Sequence, residues 1–459
     1  MALATEASTS LALPTPDPTG SHISVRLALT AGALAIVLMW WLDPSPLNGL
    51  GAQVTAAGRL AGLLGAYLVL VQLLLMGRLA WFEHAVGFDR LTAWHRGLGT
   101  NTVILLAAHV MLIVEGYSLT DQRGIAPTGW RVLSTYPDML KATAGLVLFG
   151  LVAGTSARAA RRHLSYEAWY AVHLTAYAAV ALAFSHQLAS GQDFVGHPLN
   201  RILWWALYLF VAAALLLGRV ILPVRGWFRH RLLVDRVVVE SPGVVSVWVR
   251  GRRLDELGAE AGQFLLWRFL APGHVWSAHP YSLSAAPDHG SLRITVKDAG
   301  DHSAALAHLR HGTPVLAEGP FGHFTLEKST RSRLLLIAGG SGIGPIRALA
   351  EELVMRGDRH HMDAVLLYRA GHERDLALRD ELDGLSARTG LRVIYLVGHR
   401  AELGHDPLSP ASIHDLVPDV RSRDTFVCGP PGMTHSVLRA MRELRVPVRQ
   451  LHSEDFEMV

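Results

Sequence analysis

Six long apolar stretches fill the first half of this 459-residue chain, and no other feature narrows its possible folds so sharply. They run over 24–42, 59–77, 94–114, 140–157, 166–189 and 201–222, with Pro, Gly and Asp clusters between them. Each is long enough, or nearly so, to cross the hydrocarbon core of a bilayer as a helix. The chain is 50% hydrophobic and only 17% charged, whereas a soluble globular chain carries about a quarter charged residues. One cysteine, Cys428, excludes a disulfide scaffold, and the apolar content excludes disorder. A formal net charge of +4 is too small to point to nucleic acid.

Lys and Arg in the short loops set the expected orientation. The second and fourth loops carry Arg78, Arg90 and Arg96, then Arg158, Arg161 and Arg162, and Arg219, Arg225, Arg229 and Arg231 close the last span. The first loop has none and the fifth only Arg201; the third has Arg123 and Arg131, offset by Glu115, Asp121 and Asp138. The balance predicts a multi-pass protein of the cell membrane with both termini cytoplasmic. Residues 1–22, small, polar and without Lys or Arg, read as a disordered tail that lacks the basic start of a signal peptide.

From residue 232 the texture changes. Segments 232–240 and 244–250 are β-rich runs around Ser241-Pro242-Gly243, and short strands continue to about residue 326. Strand and helix patterns then alternate over 334–337, 346–356, 364–368, 376–385 and 393–397, as in βαβ units around a parallel sheet. The expected fold class is therefore a six-span membrane α-helical bundle over 23–222, an antiparallel β-barrel over 230–328 and an α/β parallel-sheet domain over 332–459.

Two spans hold two histidines each: His95 and His109 in the third, His173 and His186 in the fifth. Ionisable groups inside spans are costly and mark function. Pairs of imidazoles on two helices suit two haems with axial His ligands, although a proton relay is the competing reading. Separations of 14 and 13 residues correspond to about 21 and 19.5 Å along a helix, one centre near each face of the bilayer. His95 is expected to pair with His173 on the cytoplasmic side and His109 with His186 on the far side. A 14-residue step returns to within about 40° of the same helix face, whereas a 13-residue step misses by about 140°. The fifth span must therefore tilt, distort or ligate obliquely.

Trp94-His95-Arg96 with His109, and Tyr170-Ala171-Val172-His173 with His186, resemble the ferric reductase and NADPH oxidase family. The resemblance covers most of the chain, all but the N-terminal tail and some loops. It implies six spans, two bis-His b-type haems and a cytoplasmic flavin and nicotinamide module, and it supplies the 13-residue spacing that helical phase does not. Arg96, next to an inner ligand, could meet a haem propionate or be a plain positive-inside residue.

In the antiparallel region His279-Pro280-Tyr281-Ser282-Leu283-Ser284 offers an aromatic ring for an isoalloxazine face and hydroxyls for its ring atoms or phosphate. The strand 292–297 carries Thr295 and Lys297, and Gly300 and Ser303 open a helix whose free N–H groups suit a pyrophosphate. Together with Pro-Phe-Gly at 320–322 these resemble the ferredoxin–NADP reductase flavin domain, in the oxidase-like variant with His-Pro before the aromatic residue. That implies FAD. Soluble reductases have Arg two places before the tyrosine, where this chain has His279, which leaves the strength of phosphate binding there open.

After strand 334–337, the run Gly339, Gly340, Gly342, Gly344 and Pro345 leads into a helix. Such glycines let the backbone approach a pyrophosphate, although a plain structural turn is the alternative. Cys428, with Gly429 and Pro430, stands where the family sets a Cys beside the nicotinamide C4; a buried, inert Cys is the alternative. Phe456 matches the aromatic residue that covers the flavin until the nicotinamide displaces it. Tyr368-Arg369 ends the second Rossmann-like strand, where a cation can meet an adenosine 2′-phosphate, favouring NADPH over NADH.

The order of parts reads as NAD(P)H to FAD, to an inner haem at His95 and His173, to an outer haem at His109 and His186, and out to an acceptor. The acceptor is a small one, dioxygen or a ferric chelate, or else the chain is the electron donor to a membrane or exported redox partner. No calcium-binding loop of the EF-hand type is present, so a constitutive enzyme is expected.

Overall fold

The computed structural model describes residues 21–42, 47–161, 163–275, 278–288, 290–356 and 363–454. The chain divides into two compact units, one ending at Leu222 and one beginning at Pro223. Of the tail expected over 1–22, residues 1–20 lie outside the described residues, and the first helix already begins at Ser21.

The first unit is helical: α1 (Ser21–Trp41), α2 (Leu50–Leu75), α3 (Ala80–Val86), α4 (Phe88–Asp121), α5 (Ile125–Thr135), α6 (Met139–Ser156), α7 (Arg158–Arg161), α8 (Tyr166–Ser190) and α9 (Pro198–Leu216). A π-helical turn, Leu217–Ile221, joins α9 to α10 (Leu222–His230). Among the described residues six helices are long and apolar enough to cross a membrane: His22–Trp41, Leu50–Leu75, Arg90–Asp121, Met139–Ser156, Glu167–Ser190 and Pro198–His230. The second begins at Leu50 rather than residue 59, so Arg59 lies inside it. The charge is tolerated because Arg59 pairs with Asp193, Nη2 to Oδ1 at 2.5 Å and Nε to Oδ2 at 3.0 Å.

Helix α2 is the interior helix, with 56% of its most apolar window buried against 6–17% for the other spans. Small residues let it approach α4 closely, as packing without a hydrophobic driving force requires. A Cβ at Gly116 on α4 would stand 2.2 Å from Thr55 Oγ1, and one at Gly58 on α2 would stand 3.0 Å from Leu112 Cβ and Ile113 N. Gly145 of α6 lies as close to α8, 2.8 Å from the Ala179 carbonyl by the same measure. Large apolar side chains such as Ile104, Met111, Leu151 and Leu209 are exposed, which water disfavours and lipid does not.

The second unit opens with β1 (Leu233–Ser241), β2 (Val244–Arg250), β3 (Phe264–Phe269), β4 (His279–Ser282), β5 (Ser291–Lys297), the short α11 (Asp301–Ala305) and β6 (Val315–Phe321). These strands form two antiparallel sheets, β1-β2-β5 and β4-β3-β6, joined by single bridges Leu233↔Pro314 and Leu283↔Ile294. The expected barrel thus closes as two bridged sheets, around Trp267, Phe269, Leu283, Ile294 and Leu306.

Next come β7 (Arg333–Gly339), α12 (Ile343–Arg356), β8 (Asp363–Ala370), α13 (Arg379–Arg388), β9 (Arg392–Val397), α14 (Arg400–Leu403), α15 (Pro410–Leu416), β10 (Asp424–Cys428), α16 (Pro431–Glu443) and β11 (Leu451–Glu454). The strands are parallel in the order β11-β10-β7-β8-β9. Alternate residues feed two cores, Leu334, Leu336 and Ala338 with Ile346 and Leu382, and Leu335 and Ile337 with Ile413 and Val437. Burial on both faces explains why these strands are apolar runs rather than alternating ones.

Asp424, fully buried at the start of β10, accepts bonds from Thr330 N at 2.6 Å, Ser329 Oγ at 3.0 Å and His452 Nε2 at 3.2 Å. Burial alone would raise its carboxyl; the bonds from His452, Ser329 and the Thr330 N–H outweigh burial and hold it below the usual carboxylate range. Its contribution is therefore complete above the unfolded-chain value of about 3.9 and is lost as pH falls through the lower folded value. Asp424→Asn is expected to cost about 1–3 kcal/mol at pH 7, and the deficit should shrink below about pH 4. Thermal melts of both proteins across pH check this.

Candidate functional site

The first candidate site lies between α4 and α8, which carry the four histidines. His95 donates Nδ1–H to the Gln72 carbonyl at 3.3 Å, and His109 to the Gly58 carbonyl at 2.8 Å. A carbonyl only accepts, so each bond places the proton on Nδ1 and leaves the Nε2 lone pair free, as a metal-ligating imidazole requires. His173 Nδ1 lies 3.4 Å from Ser156 Oγ, which also accepts from Trp169 Nε1 at 3.2 Å. A Cβ at Gly62 would stand 2.5 Å from His109 Nδ1, so the ring needs glycine there.

The His95 and His173 rings have centroids 6.0 Å apart. Two imidazoles bound to opposite sides of one metal, at about 2 Å per metal–nitrogen bond, sit about 6 Å apart by centroid. The pair therefore fits a planar metal group between them. His186 and His109 are close enough to interact electrostatically. Helix α8 runs unbroken from Tyr166 to Ser190, so no local break separates His173 from His186. Among the described residues no three His, Cys, Asp or Glu side chains converge as on a bare ion.

The second candidate site lies in the other unit. His279 and Tyr281 alternate with their neighbours along β4 and share one sheet face, rings stacked at 6.4 Å and 22°. Burial pushes the Tyr281 phenol up. Beside them the Ser282 hydroxyl is buried without a hydrogen-bond partner, an unmet donor and acceptor that fits a heteroaromatic ligand. Pro280 pairs with Leu266 on β3. Leu283 points into the core of the two sheets.

Ser284 and Thr295 are sealed inside. Ser284 Oγ accepts from Thr295 Oγ1 at 2.7 Å and Arg293 Nε at 3.1 Å, and its carbonyl accepts from Arg293 Nη2 at 2.6 Å. Arg293, fully buried, also bonds both carboxylate oxygens of Glu381 on α13, at 2.7 and 3.0 Å. This clamp joins the two-sheet lobe to the parallel-sheet lobe. Gly344 meets the same spot, where a Cβ would lie 3.3 Å from Ser284 Cβ. Lys297 is exposed, and Ser303 spends its hydroxyl on Ala299 N and the Gly300 carbonyl, both at 2.8 Å.

The third set meets at the switch point of the parallel sheet. Strand order reverses between β7 and β10, and ligands of such sheets bind in the crevice at the carboxyl ends of the strands flanking that point. Those ends carry Gly339–Pro345 and Cys428–Pro430. Gly340 has φ +55, a conformation that favours glycine. A Cβ at Gly342 would lie 2.1 Å from the Cys428 carbonyl, and one at Gly339 or Gly429 2.4 Å from Met433. The N-termini of α12, with Pro345 in its first turn, and α16 both open here, favourable for phosphate.

Two residues behave otherwise than their sequence position suggests. Tyr368 is buried in the core, and burial pushes its phenol up. Arg369 gives Nη1 to the Leu396 carbonyl at 2.8 Å and to Ala370, and Nη2 to Gly398, stitching the ends of β8 and β9. Phe456 lies outside the described residues. Glu454 was not singled out from sequence. It pairs in register with Cys428, and a Cβ at Gly322 would stand 2.8 Å from its Oε1. Its only sequence signal is its place two residues before Phe456.

Residues 61–184 match the family described as ferric reductase like transmembrane component, and residues 336–439 match the oxidoreductase NAD-binding domain. The chain is 26% identical over 253 residues to Flavohemoprotein of Halalkalibacterium halodurans, covering 50% of this chain and 61% of that protein. It is 30% identical over 213 residues to Ferredoxin--NADP reductase B of Sorangium cellulosum, covering 43% of this chain and 85% of that one. It is also 30% identical over 200 residues to the ferredoxin reductase component of 3-ketosteroid-9-alpha-monooxygenase of Mycobacterium tuberculosis, covering 43% and 54%. The chain thus spans little more than half the length of two of these relatives.

Gly342→Ala forces the glycine loop off the end of β10. The KM for the nicotinamide donor, measured by reduction of external ferricyanide, should rise at least about tenfold, a loss of about 1.4 kcal/mol, with flavin content unchanged.

Proposed function

We propose that this chain, a membrane oxidoreductase belonging to the family that joins a ferric reductase-like transmembrane component to an FAD- and NAD-binding reductase module, moves electrons from cytoplasmic NAD(P)H across the bilayer. The route is FAD, then two b-type haems, then a small acceptor on the far side. The observation that carries the reading is the His95–His173 pair, centroids 6.0 Å apart, with His95 Nδ1 tied to a backbone carbonyl. A hydrocarbon interior keeps such a pair only for a use.

Bound flavin supplies the conversion of a two-electron hydride to single electrons, and bound haem accepts them one at a time. The chain's own residues do the rest. His95 and His173 hold the inner haem and His109 and His186 the outer, with Gln72, Gly58 and Ser156 fixing three of the four rings. Tyr281 and His279 cover the flavin ring, Ser282 bonds its polar edge, and Lys297, Gly300 and Ser303 lie toward its phosphates. The glycine loop and Gly429-Pro430 cradle the nicotinamide dinucleotide. Cys428 and Glu454 bound the space where hydride leaves, and Phe456 covers the flavin when the nicotinamide is absent. With both histidines of a pair committed to its iron, a bound haem would offer no open position, and an acceptor would be reduced at its edge.

The far-side acceptor is dioxygen, giving superoxide, or a ferric chelate. Anaerobically reduced protein is mixed with air-saturated buffer while superoxide is trapped. Reoxidation faster than steady-state turnover with stoichiometric superoxide supports oxygen. Slow reoxidation that a ferric chelate accelerates supports the chelate, and failure of both acceptors points to a redox protein and overturns the small-acceptor reading. Separately, His109→Leu and His186→Leu should each remove one of two haems, by pyridine haemochrome assay, while external ferricyanide reduction by NADPH persists. Full haem content in both variants contradicts the pairing.

A further inference from the structure

Helix α2 ends against the residues that close the sixth span. Its Gln72 carbonyl accepts from His95 Nδ1, and the Met76 carbonyl accepts from Arg219 Nε at 3.0 Å. Gln72 lies in the last turn of α2 and Met76 caps it four positions on, about 6 Å along the axis and on the same face. The two side chains are thus hung from successive carbonyls of the same helix face. Arg219 lies in the π-helical turn Leu217–Ile221, a local widening that inserts one residue and is frequent at functional sites. The preceding Gly218 explains the fit, since a Cβ there would stand 1.9 Å from the Gly77 carbonyl. Arg219 also interacts electrostatically with both His95 and His173. Arg96, the cation beside His95 in sequence, has an exposed side chain.

A guanidinium within a span needs an acceptor. Nε is committed to Met76, and the two terminal nitrogens form the planar fork that matches a carboxylate. A b-type haem brings two carboxylates on its edge. Resting on the bis-imidazole reading above, we propose that Arg219 binds a propionate carboxylate of the haem held by His95 and His173 and raises that haem's reduction potential. Pairing cancels negative charge beside the iron, and less negative charge favours the reduced state.

The test is an optical redox titration of full-length holoprotein, wild type and variants, with haem counted by pyridine haemochrome. Arg219→Gln should keep two haems and lower one midpoint, weakening that haem's reduction equilibrium about tenfold, or 59 mV for one electron. The other midpoint should stay. Arg219→Lys, which keeps the charge but loses the fork, should move the same midpoint by less, and it stands in if the Gln variant does not fold. Arg96→Gln should move neither. Two haems with unmoved midpoints in the Arg219 variants, or a shift in Arg96→Gln alone, overturn the inference. A wild-type protein with fewer than two haems overturns the bis-imidazole reading beneath it.

Discussion

Burying an imidazole nitrogen in hydrocarbon is costly unless the protein satisfies it, and for His95 and His109 the membrane unit is arranged around that cost. Helix α2 is buried because it supplies the acceptors. The carbonyls of Gly58 and Gln72, 14 residues apart, meet His109 and His95, also 14 residues apart. The matched spacing means α2 and α4 run side by side with a constant offset, which the glycines between them permit. Gly62 is one such close point, against the His109 ring. Once Nδ1 is committed in this way, Nε2 is left free, and on α8 the His173 ring lies 6.0 Å from that of His95 by centroid.

The same economy operates in the second unit by different means. A parallel sheet buried on both faces creates a crevice only where its strand order reverses, and both glycine-bearing loops fall there. The buried Arg293 ties the flavin-side lobe to α13 through Glu381, so the crevice and the Ser282 face are held by one charge-assisted clamp. Ser284 and Thr295 belong to that clamp. Arg369 has likewise become a structural cation. Its bonds to the Leu396 and Gly398 carbonyls close the ends of two strands.

Much of this was legible in the sequence because the signals are local. Span lengths, the four histidines, the glycine loop and the Cys428 turn each declare themselves within a few residues. What escaped depends on partners distant in the chain. Arg59 looked like a boundary because its counter-charge, Asp193, is 134 positions away. Gly62 and Gly218 are ordinary glycines until another helix is laid against them. The π turn at Leu217–Ile221 has no composition of its own. Helical phase left the 13-residue step in the fifth span open, since phase describes Cα directions and says nothing of helix tilt or of how far an imidazole reaches.

The central claim is that electrons cross the bilayer through the chain itself. Holoprotein would be reconstituted into sealed vesicles with ferricyanide trapped inside, and NADPH added outside with no external acceptor. Bleaching of the trapped ferricyanide in wild type, abolished in His109→Leu, is the result this account predicts. Trapped ferricyanide that stays oxidised while externally added ferricyanide is reduced would contradict it, leaving a flavin reductase whose spans carry no current.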